Sequence, residues 1–179
     1  MLEPIMDVFE AIRGRRSIRN FGKGDVVSED LRQMLGAAIS APSAGNLQPW
    51  EFVIVRSADT KIALAEAAYG QNFIAQAPVV IVICANVARS ATRYRERGRD
   101  LYSIQDTAAA AQNILLASYA MGYGSCWVGA FDETKVARIV NVPEDVRPLA
   151  IIPVGRSTES PEPRPKYSLK KVTHVERFN

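Results

Sequence analysis

The stretch "PVVIVICA", Pro78 to Ala85, sets the strictest limit on what this chain can fold into. It is apolar at every position and rich in β-branched residues, so it reads as a strand. Successive side chains of a strand point to opposite faces, and here both faces are apolar, so each must be covered by its own layer. With Ala77 the run is still far short of the ~18 apolar residues that span a bilayer, and no membrane association is expected.

The rest of the chain offers strands to pair with this one and helices to cover it. "WEFVIVR", "GSCWVGAF" and "PLAIIPV" read as further strands, the last two separated by a helix capped at Asp132. Ile5, Val8, Phe9 and Ile12 follow helical spacing and stop at Gly14. Ser28 is placed to cap a second helix, with Leu31, Met34, Leu35, Ala38 and Ile39 on its buried face. "DTKIALAEAAY" reads as a short helix, and Asp106 to Met121 as an alanine-rich helix suited to close packing. No tight hairpin signal or internal repeat occurs. The expectation is an α/β sandwich around a buried central sheet, in one domain spanning 1–179. Four prolines between 153 and 165 open a final stretch without strong period, which reads as an extended arm over 156–179.

Several chemistries find no support. Gly122 and Gly124 lie between a helix and a strand with the wrong spacing for a dinucleotide fingerprint; they read as a helix stop followed by a turn. The only histidine, His174, has no serine or cysteine motif around it, so a hydrolytic triad is not expected. No metal-ligand spacing and no carboxylate pair stand out, so a catalytic residue is not expected and a cofactor would carry the hard chemistry. Cys84, inside the apolar strand, reads as an inert core thiol. Two cysteines in 179 residues suit a reducing cytoplasm, and the acid-bearing N-terminal helix does not resemble a signal peptide.

Charge is informative in its placement. The net charge of +3 equals the excess of six Lys/Arg over three Glu from Arg156 onward. "RRSIRNF", Arg15 to Phe21, concentrates three arginines, and in an extended segment Arg15, Ser17 and Arg19 project the same way. Two guanidinium forks and a hydroxyl suit a phosphate monoester, although a basic turn could equally stabilise the preceding helix C-terminus. No nucleic-acid-binding motif accompanies these clusters. The arginines at 89, 93, 95, 97 and 99 fit either a solvated helix face or a surface favouring anionic acceptors or a phosphorylated donor. "APSAGNLQPW", Ala41 to Trp50, has more rigid and hydrogen-bonding residues than a plain link requires.

"RRSIRNF", "APSAGNLQPWEFVIV", "DTAAAAQNILLASYAMGYGSCWVGAF" and "IIPVG", followed in order by a basic tail, resemble the FMN-dependent nitroreductase family over nearly the whole chain, as a small, minimal member. The resemblance implies an α+β three-layer sandwich with a mostly antiparallel sheet. It also implies an intertwined homodimer with FMN at the interface, the arm packing on the partner subunit. By the same resemblance Arg15, Arg16, Ser17 and Arg19 hold the FMN phosphate, completed by Arg164 and Lys166, with Arg156 as a competitor. Pro42, Ser43, Ala44 and Asn46 approach the flavin from the partner; the family's second serine is Ala44 here. Gln71 or Asn72 would face the pyrimidine edge, and the backbone of Trp127, Val128 and Gly129 would run past N5, with Ala130 where many relatives have glycine.

The implied activity is transfer of hydride from NADH or NADPH to nitroaromatics, quinones or similar flat acceptors by a ping-pong mechanism. A specialised flavin dehydrogenase or reductive dehalogenase, and a flavin-binding protein without turnover, are the alternatives.

Overall fold

The computed structural model describes residues 6–178. Strands β1 (Trp50–Val55), β2 (Val79–Asn86), β3 (Gly124–Ser125) and β4 (Val146–Gly155) form one antiparallel sheet in the order β1-β2-β4-β3. The apolar run is central, pairing Trp50 with Ala85 on one side and Val79 with Val154 on the other. Its alternation divides the core. Val79, Ile81 and Ile83 join a cluster with Leu31 and Met34 of α2 (Ser28–Ile39) and Ile114 and Leu115 of α6 (Ser103–Ala120). Val80, Val82 and Cys84 face Leu64 of α3 (Ala58–Ala67), Ile74 of α4 (Phe73–Gln76) and Val136 of α7 (Glu133–Ile139). Both apolar faces are thus covered, and with its antiparallel sheet the fold is the three-layer α+β sandwich that the resemblance implies.

Local chemistry sets the boundaries. α1 (Val8–Gly14) opens with a capping box between Asp7 and Glu10. α6 ends in a Schellman turn, with Gly122 at φ +75° and Tyr123 N donating to Ser118 O at 2.8 Å, so the helix stop at Gly122 holds. Asp132 caps α7 as expected, accepting from Lys135 N at 3.0 Å. Ser28 does not cap α2; it is the first helical residue, and Val27 occupies the cap position without a side-chain bond. The strand expected over "GSCWVGAF" shrinks to Gly124–Ser125, plus a bridge from Val128 to Ile151. Past Ser125 the ladder would next reach Pro153, which has no N–H to donate, and Cys126 N retains only a 3.4 Å bond to Pro153 O.

The apolar stripe of α1 turns outward. Val8, Phe9 and Ile12 are exposed and only Ala11 is buried; Ile5 lies outside the described residues. α2 buries Leu31, Met34 and Ala38, while Ile39 is exposed. The arm beyond Arg156 is exposed along almost all its length and carries one short turn, α8 (Leu169–Val172), with Leu169, Val172, Val175 and Phe178 facing outward. Among the described residues no helix is long and apolar enough to cross a membrane.

Candidate functional site

After α1 the chain runs extended, because Ser17 bridges Ser125 of β3 and Ile18 N donates to Ser125 O at 3.0 Å. Ile18 is thereby buried, and Gly124 is required beneath it: a Cβ there would lie 2.8 Å from Ile18. With Ile18 inside, Arg15, Ser17 and Arg19 line one cavity of about 770 Å³. Arg164 and Lys166 of the arm line the same cavity, some 145 residues further along the chain. Among the described residues none of these four cations forms an ion pair. Arg16 also reaches the cavity, but its guanidinium donates to the carbonyls of Arg13, Gly14 and Arg15 at the end of α1. It therefore closes the helix C-terminus, as the alternative reading of this cluster anticipated. Arg156 does not line the cavity; it stacks over Tyr123 at 4.0 Å and donates to Gly122 O.

The carboxylate that organises this segment was not picked out from the sequence. Glu159 accepts from Arg19 N at 2.5 Å, Asn20 N at 3.1 Å and Asn20 Nδ2 at 2.6 Å. The Arg19 amide foremost, then Asn20, hold its carboxyl below the usual glutamate range. Its only sequence signal was that it is one of three acids in a basic tail. A smaller cavity of about 350 Å³ shares Arg15, Arg16 and Glu159 and is walled by Tyr119, Tyr123 and Ser125. Among the described residues, Ser125 Oγ and Arg16 Nε are buried there without a partner.

Beyond Ser125 the chain carries the second group of expected residues. Burial pushes the Cys126 thiol up, against the pull of Arg19 and Ser17 beside it, so it is a poor nucleophile. Cys84 is pushed up to about 12 by burial, then by Glu51. Trp127 and Gly129 are exposed, whereas Val128 commits its backbone to Ile151 in both directions. Gln71 joins this group by donating its amide to Ala68 O at 2.9 Å and Ala130 O at 3.0 Å. Both N–H groups of that amide are occupied, which leaves its oxygen for a ligand; Asn72 is exposed at the start of α4.

The 41–50 loop lines neither cavity. Trp50 anchors it in the core, and Gly45, Asn46 and Gln48 all adopt positive φ, at 58°, 57° and 50°. For Asn46 and Gln48 such backbone is strained and persists only where the surroundings impose it. Asp106 of α6, a second residue the sequence did not reveal, accepts from Ala44 N at 3.1 Å. Arg89 bonds Gln48 O at 2.6 Å and pairs with Glu51 at 2.5 Å. Ser43 Oγ accepts from Gln48 N, and Asn46 Oδ1 from Gln48 Nε2. Pro42 is exposed, and Ala44 retains its methyl and part of its carbonyl to meet a ligand.

The family model described as the nitroreductase family matches residues 12–75 and 68–156, which include Arg15, Ser17 and Arg19, the arginines from 89 to 99, the strained loop and the whole sheet. This chain belongs to the nitroreductase family. Among its relatives, an NADH dehydrogenase of Thermus thermophilus is 34% identical, over 94% of this chain and 96% of its own length. NfrA2 of B. megaterium superposes with a TM-score of 0.90 at 25% identity, over 97% of this chain and 76% of that one. An NADPH:FMN oxidoreductase from Vibrio harveyi, solved in complex with NAD+, gives a TM-score of 0.89 at 26% identity, over 96% of this chain and 78% of that one.

Proposed function

We propose that this nitroreductase-family chain is an FMN-dependent oxidoreductase that takes hydride from NADH or NADPH and reduces nitroaromatics, quinones or similar electron-poor acceptors. The observation that carries the reading is the cavity in which Arg15, Ser17 and Arg19 meet Arg164 and Lys166: Glu159 and Glu162 also line it, yet among the described residues none of the four cations forms an ion pair. A phosphate monoester with a charge of about −1.5 to −2 is the group such a cavity fits, through charge-assisted bonds to the guanidinium forks and the serine hydroxyl. Gln71 Oε1 and the exposed residues Trp127 and Gly129 would offer the donors and acceptors that the isoalloxazine edge of FMN needs. Bound there, FMN supplies a two-electron centre that accepts hydride and passes it on, so the protein's task is to orient donor and acceptor in turn. Use of one open face by both substrates implies ping-pong kinetics.

The reading includes a homodimer. Val8, Phe9 and Ile12 of α1 and Leu169, Val172, Val175 and Phe178 of the arm form apolar surfaces of the kind a second copy would bury. The strained loop, absent from its own chain's cation cavity, would complete the partner's site with Pro42, Ser43, Ala44 and Asn46. Anaerobic titration tests the activity. The FMN-loaded protein should bleach on addition of NADH or NADPH and recover its absorption when a nitroaromatic or quinone is added. A protein that retains FMN but is not bleached by either donor would be a flavin binder without turnover.

A further inference from the structure

The arginine-rich stretch after β2 is not used by the phosphate cavity, and its conformation is unusual. α5 (Val87–Arg97) is broken at Arg95, whose φ of 49° and ψ of −132° belong to a region that side-chain-bearing residues avoid. A π-helical turn, Gly98–Tyr102, follows and folds the chain back so tightly that a Cβ on Gly98 would overlap Ser90 O. The reversal sets Tyr102 edge-on against Tyr94, with ring centroids 5.0 Å apart and planes at 88°. Arg97 donates to Tyr102 Oη at 2.8 Å, and Arg93 lies 5.5 Å from the Tyr94 ring. This assembly rests on the strained loop: a Cβ on Gly45 would lie 2.8 Å from Tyr94 Oη and 3.0 Å from Arg93 Nη1.

The charges here are not neutralised. Arg89 pairs with Glu51 and Arg99 with Asp145, but among the described residues Arg93, Arg95 and Arg97 pair with no carboxylate, Glu96 included. We propose that Arg93 and Arg97, held by the Tyr94–Tyr102 pair, form an acceptor-binding wall that selects planar aromatic compounds bearing a carboxylate. The ring of such a compound meets aromatic surface, and its carboxylate meets a planar guanidinium fork. The inference rests on the reading that the 42–46 loop borders a bound FMN.

The test uses FMN-loaded protein with benzoate and benzamide, planar probes that differ in charge and are not reduced. Calorimetry should show benzoate binding more tightly than benzamide. Arg93→Gln combined with Arg97→Gln should weaken benzoate about three- to fivefold, the size of a solvent-exposed charge contact, and leave benzamide unchanged. Added salt should narrow the preference in the parent. The ratio of kcat/KM for NADPH over NADH should not change. Equal binding of the two probes by the parent overturns the inference while the FMN reading stands. A variant that loses NADPH preference but keeps its benzoate affinity also overturns it, assigning these arginines to the donor's phosphate. A protein that takes up no FMN overturns both.

Discussion

In the cavity beside α1, Arg15, Arg19, Arg164 and Lys166 form no ion pair among the described residues, and Ser17 lines the cavity with them. In the loop between α2 and β1 the polar groups are engaged with one another. Ser43 and Asn46 bond Gln48, Ala44 donates to Asp106, and Gln48 O accepts from Arg89. Both segments are rich in groups that can bind a ligand, but the first leaves its cations outside the ion pairs of the described residues. The second commits its polar groups to a strained shape. On the proposed function, the cavity contributes charge to FMN binding and the loop contributes form. Substitutions in the two should have separable effects: loss of cofactor without loss of stability in one, and loss of stability first in the other.

The largest expected effect tests whether the two regions act across a dimer. Arg15→Ala and Asn46→Ala chains, refolded separately, should each form dimers with two damaged sites. Refolded together, their mixed dimers would gather both lesions in one site and leave the other intact. Activity should rise to about one quarter of the parent level for random equimolar pairing with independent sites. Activity no higher than the mean of the two variants, with mixed dimers demonstrated, would place loop and arginines in the same chain's site.

Asp106 sharpens the comparison from the side of the loop. Asp106→Ala leaves Ala44 N without its acceptor and should cost about 1–3 kcal/mol of unfolding free energy. Asp106→Asn keeps an oxygen toward Ala44 and removes a buried charge. Burial raises the Asp106 carboxyl above its usual value of 3.8, although the Ala44 amide opposes this. The folded state therefore favours the protonated form, and stability from this group is lost as pH rises through its folded value. The thermal midpoint of Asp106→Asn should gain on the parent over that rise and hold the gain at neutral pH. A midpoint difference that does not vary with pH would show that Asp106 is not strained by its charge.

Glu159 gives a smaller effect of opposite sign. Its folded value lies below the usual 4.5, so its stabilisation is complete above that value and lost as pH falls through the folded one. The stability gap between parent and Glu159→Gln should be constant near neutrality and close only in acid. A gap that widened in acid would contradict the role of Glu159 as an acceptor for the Arg19 and Asn20 amides.

What could be read from the sequence was what repeats locally. The unbroken apolar run of β2 demanded two covering layers, and the alternation of Arg15, Ser17 and Arg19 forecast one shared face because the segment is extended. Asp106 and Glu159 left no such trace, since each acts on backbone 62 and 140 residues away in the chain. The outward turn of Val8, Phe9 and Ile12 was equally illegible: helical spacing identifies an apolar stripe but not which surface covers it. The break at Arg95 carries no glycine or proline at that position to announce it.

On the proposed function, the cations of the cavity are reserved for a phosphate. Dissociation constants for FMN and for riboflavin, which lacks the phosphate, measured on the parent, Arg15→Ala and Arg19→Ala, test this most directly. Each substitution should weaken FMN about ten- to hundredfold, the loss of one charge-assisted contact, while riboflavin binding and the thermal midpoint stay at parental values. Riboflavin binding that falls as far as FMN binding would contradict the claim and make these arginines part of the scaffold.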